Sequence, residues 1–127
     1  MKLSISNIAW NKENDELIYR FLAQNEYAGI EIAPTKIIIN NPYDNISLAQ
    51  EFKHYIKKKY GLCISSMQSI LYGKNELLFG SSEEYKVLLK YTKKAIDFAA
   101  AIECNNLVFG SPKNRVIKGV DYYEKGL

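Results

Sequence analysis

Apolar and polar positions alternate from Lys2 to Ile8, where Leu3 and Ile5 are interleaved with Ser4 and Ser6, and this period of two predicts a strand with one apolar face. Between Asn14 and Asn25 the period lengthens: Leu17, Ile18, Phe21 and Leu22 fall on one helical stripe. Gly29-Ile30-Glu31-Ile32-Ala33 is a short strand stopped by Pro34. After a polar loop containing Asn40, Asn41, Pro42, Asp44 and Asn45, a second helix is expected to open at Ser47, whose spacing to Gln50 fits a capping box. Its stripe is Leu48, Phe52, Tyr55 and Ile56, and Gly61 ends it. Leu62 to Met67 supplies a third strand, followed by a long loop from Ser69 to Gly80. Ser81 and Glu84 cap a third helix with the stripe Tyr85, Leu88, Leu89, Thr92, Ala95, Ile96, Ala99 and Ile102. Asn106 to Gly110 reads as a fourth strand, Ser111 to Arg115 as a polar turn, and Val120 to Leu127 as the opening of a further helix.

Strands alternating with helices imply a parallel sheet with right-handed crossovers, either an open doubly wound sheet or a barrel. A doubly wound sheet is buried on both faces, so its strands should be nearly continuous Val/Ile/Leu runs. Here Ser4, Ser6, Glu31 and Ser65 stand opposite the apolar members of their strands, which favours a barrel with a polar interior. The first strand-to-helix turn also lacks the glycine spacing of dinucleotide or P-loop phosphate cradles. The expected fold class is α/β, the first four β/α units of a (β/α)8 barrel, with residues 1–127 as one unit corresponding to its amino-terminal half.

Composition agrees with one folded unit: 47% of residues are hydrophobic and 24% charged. No apolar run approaches the ~20 residues needed to span a bilayer, and Met1 to Trp10 lacks the basic patch and long apolar block of a leader, so a cytoplasmic location away from membranes is expected. Cys63 and Cys104 lie in apolar surroundings without metal-ligand spacing and are expected to be buried, reduced thiols. The net charge of +3 is dispersed, and Lys57-Lys58-Lys59 reads as a solvated helix end, so charge gives no argument for nucleic acid as a partner.

In parallel barrels ligands sit at the carboxyl ends of the strands. Those ends carry Asn7 and Trp10, Glu31, Gln68, and the run Gly110-Ser111-Pro112-Lys113-Asn114-Arg115. Glu31, flanked by Ile30 and Ile32, must point opposite them into the barrel, as a substrate group or as a strand-end carboxylate paired with a lysine or arginine. Gly110 permits close approach of backbone to a ligand, Ser111 offers a hydroxyl, Asn114 an amide, and Arg115 a bidentate grip on phosphate or carboxylate, against the alternative of an ordinary turn with a surface arginine. Gln68 either bonds a sugar hydroxyl or ties down the loop after it. If Ser65 and Met67 face inward, Gln68 needs a bulge or the strand's end to join them. Trp10 is a sugar-stacking platform or a plug over the barrel end, and His54 is expected to be a solvated helix residue. One histidine and no cluster of inward carboxylates give no metal site, catalytic triad or acid/base pair within these residues, so no catalytic residue is assigned.

Four segments in chain order resemble the sugar phosphate isomerase/epimerase family with the xylose isomerase-like barrel, to which endonuclease IV-type enzymes are related. They are Lys2 to Trp10, Gly29 to Ile32, Ser65-Ser66-Met67-Gln68-Ser69 with Ser81-Ser82-Glu83-Glu84, and Leu107 to Arg115. The resemblance implies a (β/α)8 barrel that holds a divalent metal, Mn²⁺, Mg²⁺, Co²⁺ or Zn²⁺, and moves a proton beside the carbonyl of a small sugar or sugar phosphate through an enediolate. It places the metal ligands and acid/base glutamates on later strands, leaving Glu31, Gln68, Gly110, Ser111, Asn114, Arg115, Asn7 and Trp10 as substrate-side groups and these residues alone without metal or activity. The nuclease branch places histidines at the third and fourth strand ends, where this chain has Gln68 and Gly110-Ser111; an abasic-site nuclease is the alternative that this departure weakens. Such barrels need ~250 residues. The chain is therefore expected to be a shortened piece that pairs with the missing half, or a non-catalytic half-barrel whose open edges associate with a second copy.

Overall fold

The alternating start of the chain forms β1 (Ser4–Ser6), which stops early because the backbone coils into a single turn of 3-10 helix at Asn7–Ala9. The structure, a computed structural model, describes residues 2–117, so the helix expected at Val120 to Leu127 lies outside the described residues. α1 (Asp15–Gln24) leads to β2 (Gly29–Ile32); the short α2 (Pro34–Ile37), a turn at Pro42–Asp44 and α3 (Ile46–Tyr60) lead to β3 (Cys63–Met67). The three strands are parallel in the order β1-β2-β3. A long loop then enters α4 (Ser82–Ala101). The expected fourth strand, Asn106 to Gly110, is reduced to one parallel bridge between Met67 and Leu107. There the Met67 N–H donates to Asn106 O and the Val108 N–H donates to Met67 O, each at 2.8 Å. The described residues are thus an α/β unit with a three-stranded parallel sheet, consistent with a partial TIM-barrel-like fold, with the single bridge at Leu107 where the fourth strand is expected.

Register divides the sheet into two chemically distinct faces. Ile5 pairs with Ile30 and Ile30 with Ile64, while Ser6 pairs with Glu31 and Glu31 with Ser66. Between those two steps β3 carries one extra residue, Ser65, a bulge that reverses the parity of everything after it. Met67 consequently packs in the core beside Ile30, Ile32 and Ile64, and Gln68 follows Ser66 onto the polar face. Gly29 permits the close approach of β2 to β3: a Cβ there would lie 2.3 Å from the carbonyl oxygen of Cys63.

The helices cover the apolar face, but with different stripes from those expected. On α1 the core receives Tyr19 and Leu22, while Leu17 (64% exposed) and Phe21 (53%) face outward. Tyr19 sets this rotation by packing against Phe52 and Tyr60 of α3 and Trp10 before α1. On α3, Ala49 and Ile56 are buried and Leu48 and Tyr55 are exposed. On α4 the row Leu88, Ala95, Ala99, Ile102 is buried together with Phe98, whereas the neighbouring row Tyr85, Leu89, Ile96 is exposed. Phe98 meets Tyr43 edge to face at 5.3 Å.

Capping separates the two boxes expected from sequence. Ser81 accepts from the Glu84 N–H and Glu84 accepts from the Ser81 N–H, so the α4 box forms. α3 begins at Ile46 with Asn45 at the cap position, which leaves Ser47 inside the first turn, and the Ser47–Gln50 box does not form. Gly61 closes α3 in the left-handed conformation (φ 72°), as a helix end requires. Both cysteines are free; Cys104 is buried, which pushes its thiol up, but Cys63 is exposed because it opens β3 on the polar face. His54 is exposed on α3.

Candidate functional site

Glu31 points away from its flanking isoleucines onto the polar face and is half-buried there. Its two oxygens are held separately. Ser66 Oγ donates to Oε2 at 2.7 Å, and Gln68 Nε2 donates to Oε1 at 2.8 Å. The same Gln68 nitrogen donates to Ser6 Oγ at 2.5 Å, and nearer the start of the same two strands Ser65 Oγ donates to Ser4 Oγ at 2.9 Å. Glu31 is therefore tied to neutral donors of β3 and not to a lysine or arginine. Fixing the Gln68 amide nitrogen toward Ser6 and Glu31 turns its oxygen away from them, and the carboxylate keeps spare lone pairs. The result is an acceptor-rich surface suited to hydroxyl donors.

Gln68 also lines a cavity of about 360 Å³ between the loop after β3 and the turn after the Leu107 bridge. Gly110, Ser111 and Asn114 line it from one side, Ser69 and Tyr72 from the other. Ser69 (φ 55°) and Ser111 (φ 34°) both adopt left-handed backbone, a conformation that costs a non-glycine residue of order ~1 kcal/mol and gathers at ligand-binding sites. The structure thus brings Gln68, Gly110, Ser111 and Asn114 together, with Glu31 one hydrogen bond away. Ser6 and Ser66 belong to the same cluster. Alternation with Ile5 places Ser6 on the polar face without naming it as a site residue, and Ser66 is signalled only by the serine doublet between Ile64 and Met67, which breaks the period of two.

Other candidates are committed to internal contacts. Asn7 is 3% exposed, and its Oδ1 accepts from the Ala33 N–H at 2.9 Å, joining the ends of β1 and β2. Asn114, although it lines the cavity, donates through Nδ2 to the carbonyls of Lys74 (3.0 Å) and Glu76 (2.9 Å) and so holds the long loop. Trp10 donates from its ring nitrogen to Asp15 at 2.7 Å and meets Tyr19 edge to face at 6.1 Å. Arg115 ends the Pro112–Arg115 turn, exposed and outside the cavity lining.

The residues do not fit a divalent metal. Among the described residues no group of three or more His, Cys, Asp or Glu gathers, and Glu31 stands alone as the carboxylate of its cluster. No helix among them is long and apolar enough to cross a membrane.

No protein-family model and no curated protein sequence matches the chain. Among solved structures it is similar to 3-keto-D-glucoside 4-epimerase, YcjR, from E. coli in its apo form, with a TM-score of 0.57 and 19% identity. The match covers 99% of this chain and 47% of the epimerase chain, so the chain spans about half the length of that protein. At this identity the likeness concerns the fold.

Proposed function

We propose that this chain forms the substrate-binding side of a sugar isomerase or epimerase barrel, with the groups that move the proton, and any metal, supplied outside the described residues. The observation that carries the reading is the Glu31–Gln68–Ser66–Ser6 cluster: an acceptor-rich patch on the open face of a parallel sheet, beside a cavity at the strands' carboxyl ends. Its support in fold comes from the likeness to a sugar epimerase. Sugar hydroxyls donate to the free lone pairs of Glu31 and to Gln68 Oε1, while the Ser6 hydroxyl, already accepting from Gln68, is left to donate. This arrangement orients a polyol and moves no proton. A small sugar or sugar phosphate is the proposed ligand.

The test is an amide-resolved NMR titration of the chain with methyl β-D-glucopyranoside. Shifts should centre on Glu31, Ser66, Gln68 and Ser111, and Q68A should remove them while leaving the remaining spectrum dispersed. Silence of these amides at a ligand concentration far above that used for ordinary sugar-binding proteins would sink the proposal.

A second reading, association of this half with another, is favoured by apolar side chains exposed at both sides of the sheet. Leu3 immediately precedes β1 and Ile5 lies on it, and Val108 and Phe109 lie past the bridge to β3. Light scattering on the 127-residue chain should give a mass of at least twice 14.6 kDa; a monomer at all concentrations would exclude it.

A further inference from the structure

Three of the large apolar side chains most open to solvent meet at one place. Ile39 is 71% exposed, Tyr72 68% and Ile8 54%. Together with Ala33 they line a second cavity, about 320 Å³, at the carboxyl ends of β1 and β2. Lys36 reaches this cavity too, but its ammonium is drawn off to the carbonyl of Trp10 at 2.8 Å, so the charge is engaged elsewhere. On the helix side the exposed Leu48 and Tyr55 of α3 line another cavity, about 640 Å³, with Ile37, Ile38 and Ile39, and it shares neither Ser69 nor Tyr72 with the Gln68 cavity.

Position gives this apolar cavity its meaning. Ser69 and Tyr72 line both it and the polar cavity of Gln68, Gly110 and Ser111, so the two spaces meet across one short segment of the loop after β3. An apolar surface grouped beside a few convergent polar groups is the usual make-up of a small-molecule site, and exposed apolar side chains grouped in this way mark a binding surface. A free sugar held through its hydroxyls on the Gln68 side leaves Ile8 and Ile39 uncovered. A sugar bearing an apolar substituent fills both spaces.

We infer that the site takes a glycoside with an apolar, flat aglycone, its sugar ring on the Gln68 side and its aglycone against Tyr72, Ile8 and Ile39. The inference rests on the sugar-binding reading above and adds the class of substituent. Tyr72 is then the residue that sets specificity. Its ring offers a face to the aglycone, and because it is largely solvent-exposed its removal leaves the core intact.

The test compares phenyl β-D-glucopyranoside with methyl β-D-glucopyranoside on the full chain, by amide-resolved NMR titration, for the unaltered protein and for Y72A. The phenyl glycoside should bind roughly tenfold more tightly, the effect expected of one partly buried aromatic ring. It should add shifts at Ile8, Ile39 and Tyr72 to those at Glu31 and Gln68. Because Tyr72 also lines the Gln68 cavity, the ratio of the two affinities is the readout: Y72A should bring the two ligands to within about twofold of each other. Equal affinities in the unaltered protein, or a phenyl preference that survives Y72A, would overturn the aglycone site and leave the sugar reading standing. Shifts confined to Ile8, Ile39 and Tyr72, with Glu31 and Gln68 silent to both glycosides, would overturn the sugar reading and this inference with it.

Discussion

Replacing Asn7 by alanine tests whether a polar residue at a strand's carboxyl end serves the fold or a ligand. The Asn7 carbonyl accepts the Ala33 N–H at 2.9 Å, and at 3% exposure the asparagine leaves little room for water to replace it. Deleting the acceptor strands a buried backbone donor, which costs about 1–3 kcal/mol. In a chain of this size that corresponds to a melting temperature lower by roughly 4–12 °C. Thermal unfolding followed by far-UV circular dichroism measures it, and N7D, which keeps an oxygen in place, should recover part of the loss. Sugar-induced shifts at Glu31 and Gln68 should persist in N7A below its melting point. An N7A protein that melts like the parent, or one that melts normally but no longer shows the sugar shifts, would refute the structural assignment.

Gly29→Ala should destabilise by more than the ~1–3 kcal/mol usual for overpacking, because the new methyl meets a backbone carbonyl 2.3 Å away. Adding C63A should not rescue it, and rescue would show that the thiol was the obstacle. Phe98→Ala empties the centre of the core and should cost about 3–5 kcal/mol in a urea titration. On the helical surface Glu16 accepts from Lys59 (2.8 Å), Tyr55 and Tyr60, and its carboxyl is held below the ordinary range chiefly by the Lys59 hydrogen bond and then by that of Tyr60. A carboxylate depressed in the folded state adds stability above its unfolded value, near ~4.3, and loses it as pH falls through the folded value. The melting-temperature gap between the parent and K59M should therefore close as pH drops from about 7 to about 3; a gap independent of pH would contradict the ion pair.

What the sequence made legible was local. The change from a period of two to a helical period located β1, α1, β2, α3, β3 and α4 in order, because each periodicity lies within a dozen or so consecutive residues. The Ser81–Glu84 box was legible for the same reason: its donor and acceptor are three residues apart. The Ser47–Gln50 box looked identical, and it failed because α3 starts one step earlier at Ile46. Helix stripes were legible only to within one row. α4 carries two adjacent apolar rows, and the choice of Leu88-Ala95-Ala99 over Tyr85-Leu89-Ile96 is made by Tyr43 and the sheet beneath, neither of which is near in sequence. The run Leu107-Val108-Phe109 has strand chemistry throughout, yet pairing to β3 holds it only at Leu107.

The candidate site divides along the same line. The direction of Glu31 followed from Ile30 and Ile32 on either side of it, but its partners did not. Ser66 and Gln68 are 35 and 37 residues away, and they reach the polar face only because the bulge at Ser65 reverses the strand's parity. Asn7 and Asn114 show the opposite failure. A polar side chain at a strand end has the same sequence signature whether it meets a ligand or satisfies a buried backbone group 26 or 40 residues away. Tyr72 follows from this rule as well. A tyrosine in a loop reads as packing until the fold shows the ring exposed, with Ile8 brought beside it from the end of β1 and Ile39 from the segment after α2. The residues that define the site's chemistry are thus those whose partners are most distant in the chain, and the one-residue bulge at Ser65 is the local event on which their meeting depends.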